Sequence, residues 1–105
     1  MYNKITQEIS LRPSIKDSYG PASFGHIMSP MYACGYYSYL WSLVYSCDIF
    51  SMFKEKGIYN EEEGTRLREK VLSKGASMKA VDMLNDYLQR EPKMDAFLEE
   101  IGLSA

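Results

Sequence analysis

No HExxH motif occurs in this sequence, and its single histidine, His26, has no second histidine to pair with. No cluster of acids and cysteines stands at metal-ligand spacing either. A catalytic zinc is therefore not expected on this chain alone. Cysteine is scarce. Cys34 and Cys47 are not at CxxC spacing and read as two free thiols of a reducing compartment. A disulfide between them needs a geometry that one continuous helix does not easily give, and no motif orders either thiol beside His26 as a nucleophile. Basic blocks are missing: the net charge is −2 with both signs interspersed, which points away from nucleic acid and from anionic membrane surfaces. The stretch Met31 to Cys47 has no charged residue; it holds three serines, a glycine and five tyrosines and is followed by Asp48. It is too short and too polar for a membrane span. No basic region followed by an apolar run opens the sequence, so a cytoplasmic location is expected, an organelle remaining open.

Two residue types are abundant. Nine tyrosines and seven methionines occur in 105 residues, a length that suits one small domain. Five of the tyrosines, Tyr32, Tyr36, Tyr37, Tyr39 and Tyr45, fall in one stretch. Tyrosine presents a large apolar face and a phenolic donor, so such a cluster suits either a core or a peptide-binding groove. The methionines read as gap-fillers of a helical core.

The pattern predicts an all-α chain with an irregular loop before its main helix. Residues 2–11 suggest a short helix ended by Pro13. Residues 12–31, punctuated by Pro13, Gly20, Pro21, Gly25 and Pro30, show no period. Residues 32–105 read as helical. The longest helix runs from about Tyr36 to Lys56 and stops at Gly57. Its apolar residues go all the way round, which is the mark of a helix buried on all sides. A chain this small rarely encloses such a helix, so helix 36–56 is expected to be covered by further polypeptide or by a second copy. Trp41 reads as core. Asp48, a lone charge among apolar residues, reads as a paired or hydrogen-bonded buried carboxylate. Asn60 is a good N-cap with Glu63 completing a capping box, and Glu61 to Glu63 read as a solvated helix start. Ser77 is the expected cap of the next helix, which buries Val81, Leu84, Tyr87 and Leu88 and ends before Pro92. A last short helix holds Met94, Phe97, Leu98 and Ile101.

Tyr32, Tyr36 and Tyr39 stand at i, i+4 and i+7, and in a helix they share one face. That row is either a set of donors lining a groove, able to hold a peptide backbone or an oxyanion, or an aromatic core stripe.

The segment Phe24-Gly25-His26-Ile27, then Tyr32, then Gly35-Tyr36-Tyr37-Ser38-Tyr39-Leu40-Trp41 resembles the C-terminal active-site segment of the thimet oligopeptidase, neurolysin and bacterial oligopeptidase A family of zinc metallopeptidases. The likeness continues through Asp48-Ile49-Phe50, Phe53 to Gly57, Gly64, Leu72-Ser73-Lys74-Gly75, Arg90-Glu91-Pro92, Asp95-Ala96-Phe97-Leu98 and Gly102-Leu103. It implies a mostly helical, two-lobed peptidase that cleaves short peptides, whose HExxH helix and further zinc-ligand glutamate lie upstream of this segment. By the same resemblance His26 hydrogen-bonds substrate near the scissile bond, and Tyr39 donates to the oxygen of the tetrahedral intermediate. Tyr32 and Tyr36 contact substrate backbone or help a loop to close. Zinc belongs to the complete enzyme and none to this chain, which alone is expected to be inactive. A stand-alone, non-catalytic helical interaction module is the alternative. Two positions depart from the family pattern. Pro30-Met31 replaces a glycine pair before the first tyrosine, which stiffens the loop, and Gln89 replaces a glycine before Arg90-Glu91-Pro92.

Overall fold

The computed structural model describes residues 1–13 and 15–103. All regular structure among them is helical: α1 Tyr2–Ser10, α2 Ser38–Lys56, α3 Glu61–Leu67, α4 Ala80–Leu88 and α5 Asp95–Glu100. Two short 3₁₀ turns, Gly20–Ser23 and Gly25–Met28, lie between α1 and α2, and a π-helical turn, Arg68–Leu72, continues α3. The chain divides into two compact units, Met1–Tyr37 and Ser38–Ala105.

In the first unit α1 carries no buried residue. It is held to the first 3₁₀ turn by Asn3, whose Nδ2 donates to the Ser18 carbonyl at 3.2 Å, and by the ring of Tyr2 lying over Gly20. A methyl group on Gly20 would stand 2.5 Å from that ring, so the close approach requires glycine.

In the second unit α2 is the axis. Its 19 residues make a helix of about 28 Å at 1.5 Å per residue. Tyr45, Ile49 and Met52, at i, i+4 and i+7, pack with Leu67 and Val71 against the buried Leu84, Tyr87 and Leu88 of α4. Val44 is also buried, and α5 contributes Phe97. Gly57 ends α2 at φ 104°, a left-handed value that favours glycine.

Two buried carboxylates lock the helices together. Asp48 is 2% exposed. It accepts from Arg90 Nη2 at 2.5 Å, from Arg90 Nη1 at 2.9 Å and from the Lys93 backbone N–H at 2.7 Å. Burial pushes the Asp48 carboxyl up, but the Arg90 hydrogen bonds, the Lys93 N–H and the two nearby positive charges outweigh it and hold it below the usual range. The expected partner of the lone charge is thus Arg90, brought from the α4–α5 connection to α2.

The second carboxylate corrects the sequence reading. Glu61 and Glu62 are exposed, but Glu63 is 1% exposed and is not part of a solvated run. Asn60 does cap α3, its Oδ1 accepting from the Glu63 N–H at 2.9 Å. The Glu63 side chain does not complete a capping box; it turns inward to Lys56 Nζ at 2.5 Å, with Arg66 Nη1 at 3.5 Å. Arg66 also donates to the Tyr87 carbonyl and lies 5.2 Å over the Tyr87 ring, a cation–π contact. The Tyr87 hydroxyl and Glu63 Oε1 are buried without a well-formed hydrogen bond. Burial, with the Glu63 charge close by, raises the Tyr87 phenol well above its ordinary value. Burial also opposes ionisation of Glu63, yet Lys56, Tyr87 and Arg66 together hold it below the carboxylate range.

Three further expectations are revised. Residues 30–37 form consecutive turns, and α2 starts at Ser38. Pro30 and Gly35 disfavour helix here, and adjacent tyrosines add little propensity against them. The cap of α4 is Lys79 rather than Ser77, without a side-chain cap bond. Trp41 is not core: 51% of it is exposed, as are large parts of Tyr39, Leu40, Leu43 and Phe50 on the same helix. Within the unit that starts at Ser38, the described residues thus leave part of the apolar surface of α2 exposed.

Candidate functional site

The aromatic residues singled out in the sequence are placed by two short turns and the start of α2. Phe24 follows the first 3₁₀ turn, its N–H donating to the Pro21 carbonyl at 3.3 Å. The second 3₁₀ turn, Gly25–Met28, carries His26. Ser29 is extended, at φ −86° and ψ 135°, the conformation that a following proline demands. Its carbonyl then accepts from the Tyr32 N–H at 3.0 Å and from the Ala33 N–H at 2.9 Å. Pro30 thus occupies the second position of a turn, where a fixed φ and a missing N–H cost nothing. Neither Pro30 nor Met31 has a positive φ, so this conformation does not use the freedom of a glycine pair. Gly35 N–H to the Tyr32 carbonyl at 3.1 Å closes the next turn.

These turns gather four rings. His26 lies edge-on to Tyr32, with centroids 5.4 Å apart, and to Tyr36, at 5.8 Å. Phe24 meets Tyr36 at 4.7 Å with the planes at 88°. Edge-to-face contacts place the positive ring edge on the negative face of the neighbour. His26 and Tyr36 are exposed and Tyr32 is half-buried, so the cluster is a surface feature and not a core. The expectation that Tyr32 and Tyr36 share a helix face with Tyr39 is corrected: the first two stand in turns, and their approach to one another runs through the His26 ring. Tyr39 is the second residue of α2, in the other unit, and is half exposed. His26, Tyr32 and Tyr36 offer one imidazole and two phenols, groups that donate or accept hydrogen bonds to a peptide backbone. The sequence reading assigns no role to Phe24, whose only signal is an aromatic two residues before the histidine.

The sequence profile of peptidase family M3 matches residues 1–103. The chain belongs to peptidase family M3. Oligopeptidase A of Escherichia coli is 40% identical over 100 residues, covering 95% of this chain. Saccharolysin of Saccharomyces cerevisiae is 42% identical over 103 residues and 97% of the chain, and dipeptidyl carboxypeptidase of Escherichia coli is 35% identical over 92 residues and 88%. The chain spans about 15% of the length of these curated relatives.

Among the described residues no group of three or more His, Cys, Asp or Glu is gathered as a ligand set, and the sequence has one histidine. A catalytic metal site takes three protein ligands, and the described residues do not gather them. No helix among the described residues is long and apolar enough to cross a membrane.

Proposed function

We propose that this chain supplies the substrate side of the active site of an oligopeptidase that hydrolyses short peptides, with zinc and its ligands contributed by other M3 sequence. The observation that carries the reading is the surface cluster of His26, Tyr32 and Tyr36. It stands in a chain that family M3 matches almost throughout. In this reading His26 donates to or accepts from the substrate near the scissile bond. Tyr32 and Tyr36 hold the peptide backbone. Tyr39 donates its phenol to the oxygen that gains charge as the peptide carbonyl becomes tetrahedral. Such a donor acts mainly in the transition state, where the charge develops. The cytoplasmic location belongs to the same reading.

The exposed apolar residues of α2, Leu40, Trp41, Leu43 and Phe50, support a cover by the remainder of the peptidase. Leaving several such side chains in water forfeits about 1.5–3 kcal/mol for each one that a partner would fully bury. The same face supports the second reading, a non-catalytic module that pairs with a copy of itself.

One protein tests both. Residues 1–103 replace the matched segment of Escherichia coli oligopeptidase A, and hydrolysis of a short fluorogenic peptide is measured. Activity in the folded graft, lost on His26→Ala, is expected. A folded graft with no activity, together with a dimer of the isolated chain by analytical ultracentrifugation, would favour the module.

A further inference from the structure

Phe24 stands at a junction. Its backbone ends one 3₁₀ turn and leads directly into the next, which carries His26. Its ring meets Tyr36, twelve positions later, edge to face at 4.7 Å. The contact is not part of the core. Among the described residues the buried hydrophobics, Val44, Leu84, Tyr87, Leu88 and Phe97, all belong to the unit that starts at Ser38, while Phe24 is 36% and Tyr36 40% exposed. Phe24 has no polar side-chain atom, so it offers a substrate no hydrogen bond.

We infer that Phe24 is a positioning residue whose ring braces Tyr36, fixing the direction in which the Tyr36 phenol meets a bound peptide. The inference rests on the proposed role of Tyr36. A tyrosine on a surface turn samples several staggered rotamers, and binding a peptide through its hydroxyl then requires one of them to be selected. An edge-to-face partner selects it beforehand. The His26 ring also meets Tyr36, at 5.8 Å, so holding the Tyr36 ring also sets the spacing between the imidazole and the phenol.

The test uses the oligopeptidase A graft. Phe24→Ala is expected to lower kcat/KM by about 2- to 10-fold, the range of an aromatic pair contribution. Phe24→Tyr keeps the aromatic ring and is expected to keep most of the parent value; Phe24→Leu keeps apolar bulk without the ring and is expected to behave as the alanine variant. The decisive readout is a double-mutant cycle. In a Tyr36→Ala background Phe24→Ala is expected to cost nothing more, because there is no phenol left to direct. Additive losses would mean that Phe24 acts on the fold at large and would overturn the inference, as would a Phe24→Leu variant equal to the parent. A Tyr36→Ala variant with parental kinetics would remove Tyr36 from the site and Phe24 with it. A costly Tyr36→Ala with a silent Phe24→Ala would sink only the brace. In the chain itself, the ring protons of Tyr36 are expected to lose a ring-current shift on Phe24→Ala; unchanged shifts would contradict the contact.

Discussion

Removing Arg90 from Asp48 probes a buried long-range tie of the structure. The Asp48 carboxylate is 2% exposed and accepts three hydrogen bonds, two of them from Arg90. Arg90→Met leaves a buried charge with the Lys93 N–H and the nearby Lys93 charge as its remaining support. Breaking a buried pair from one side costs about 3–5 kcal/mol, because the stranded ion keeps its desolvation penalty. Against the roughly 5–15 kcal/mol that holds an ordinary domain, that loss shifts a urea midpoint far to the left, read by helix circular dichroism. Replacing both groups, Asp48→Leu with Arg90→Met, is expected to recover most of the loss, since an apolar pair of similar volume carries no desolvation cost. The pH dependence has a definite sign. The folded Asp48 is held below its ordinary value, so its contribution is fully present above the unfolded value of about 3.9 and is lost as pH falls through the lower folded value. Arg90→Met should therefore flatten the acid limb of the stability profile. A loss under about 1 kcal/mol, the level of an exposed pair, with an unchanged acid limb, would refute the assignment.

Gln89 ends α4 at φ 56°, a left-handed conformation that costs a non-glycine residue about 1–2 kcal/mol; the bond from its Nε2 to the Asp86 carbonyl offsets part of this. Gln89→Gly is accordingly expected to raise stability by up to about 1 kcal/mol in urea unfolding. Leu84→Ala opens a cavity among Tyr45, Ile49, Met52 and Tyr87 and should cost about 2–5 kcal/mol in the same assay. Pro30→Gly keeps a backbone that has no positive φ there but frees it in the unfolded and open states. Amide exchange of Tyr32 and Ala33, whose N–H groups bond Ser29, is expected to quicken while α2 stays unchanged.

Much of this fold is legible one residue at a time. The stop of α2 at Gly57, the Asn60 cap and a partner for Asp48 all follow from local chemistry, because each depends on neighbours in sequence or on a charge that has to be matched. The burial of Glu63 does not. Three consecutive glutamates look alike in sequence, yet successive helix residues point about 100° apart, and only one of them faces Lys56 and Tyr87. The start of α2 is hidden for a similar reason: aromatic residues neither break nor demand a helix, so Pro30 and Gly35 decide it through the turns they favour. Trp41 reads as core because an apolar helix implies a cover, and sequence does not say which chain supplies it. In the candidate site, the motif spacing singles out residues but does not give their arrangement. The i, i+4, i+7 reading required a helix through Tyr32, whereas the structure joins Tyr32 and Tyr36 through the ring of His26.

The most direct test of the account is the kcat of the oligopeptidase A graft carrying Tyr39→Phe, which removes one oxygen and keeps the ring. A donor that acts on the developing oxyanion predicts a fall in kcat of about 10²–10³ with KM little changed. An unchanged kcat in a graft that is otherwise active would contradict it.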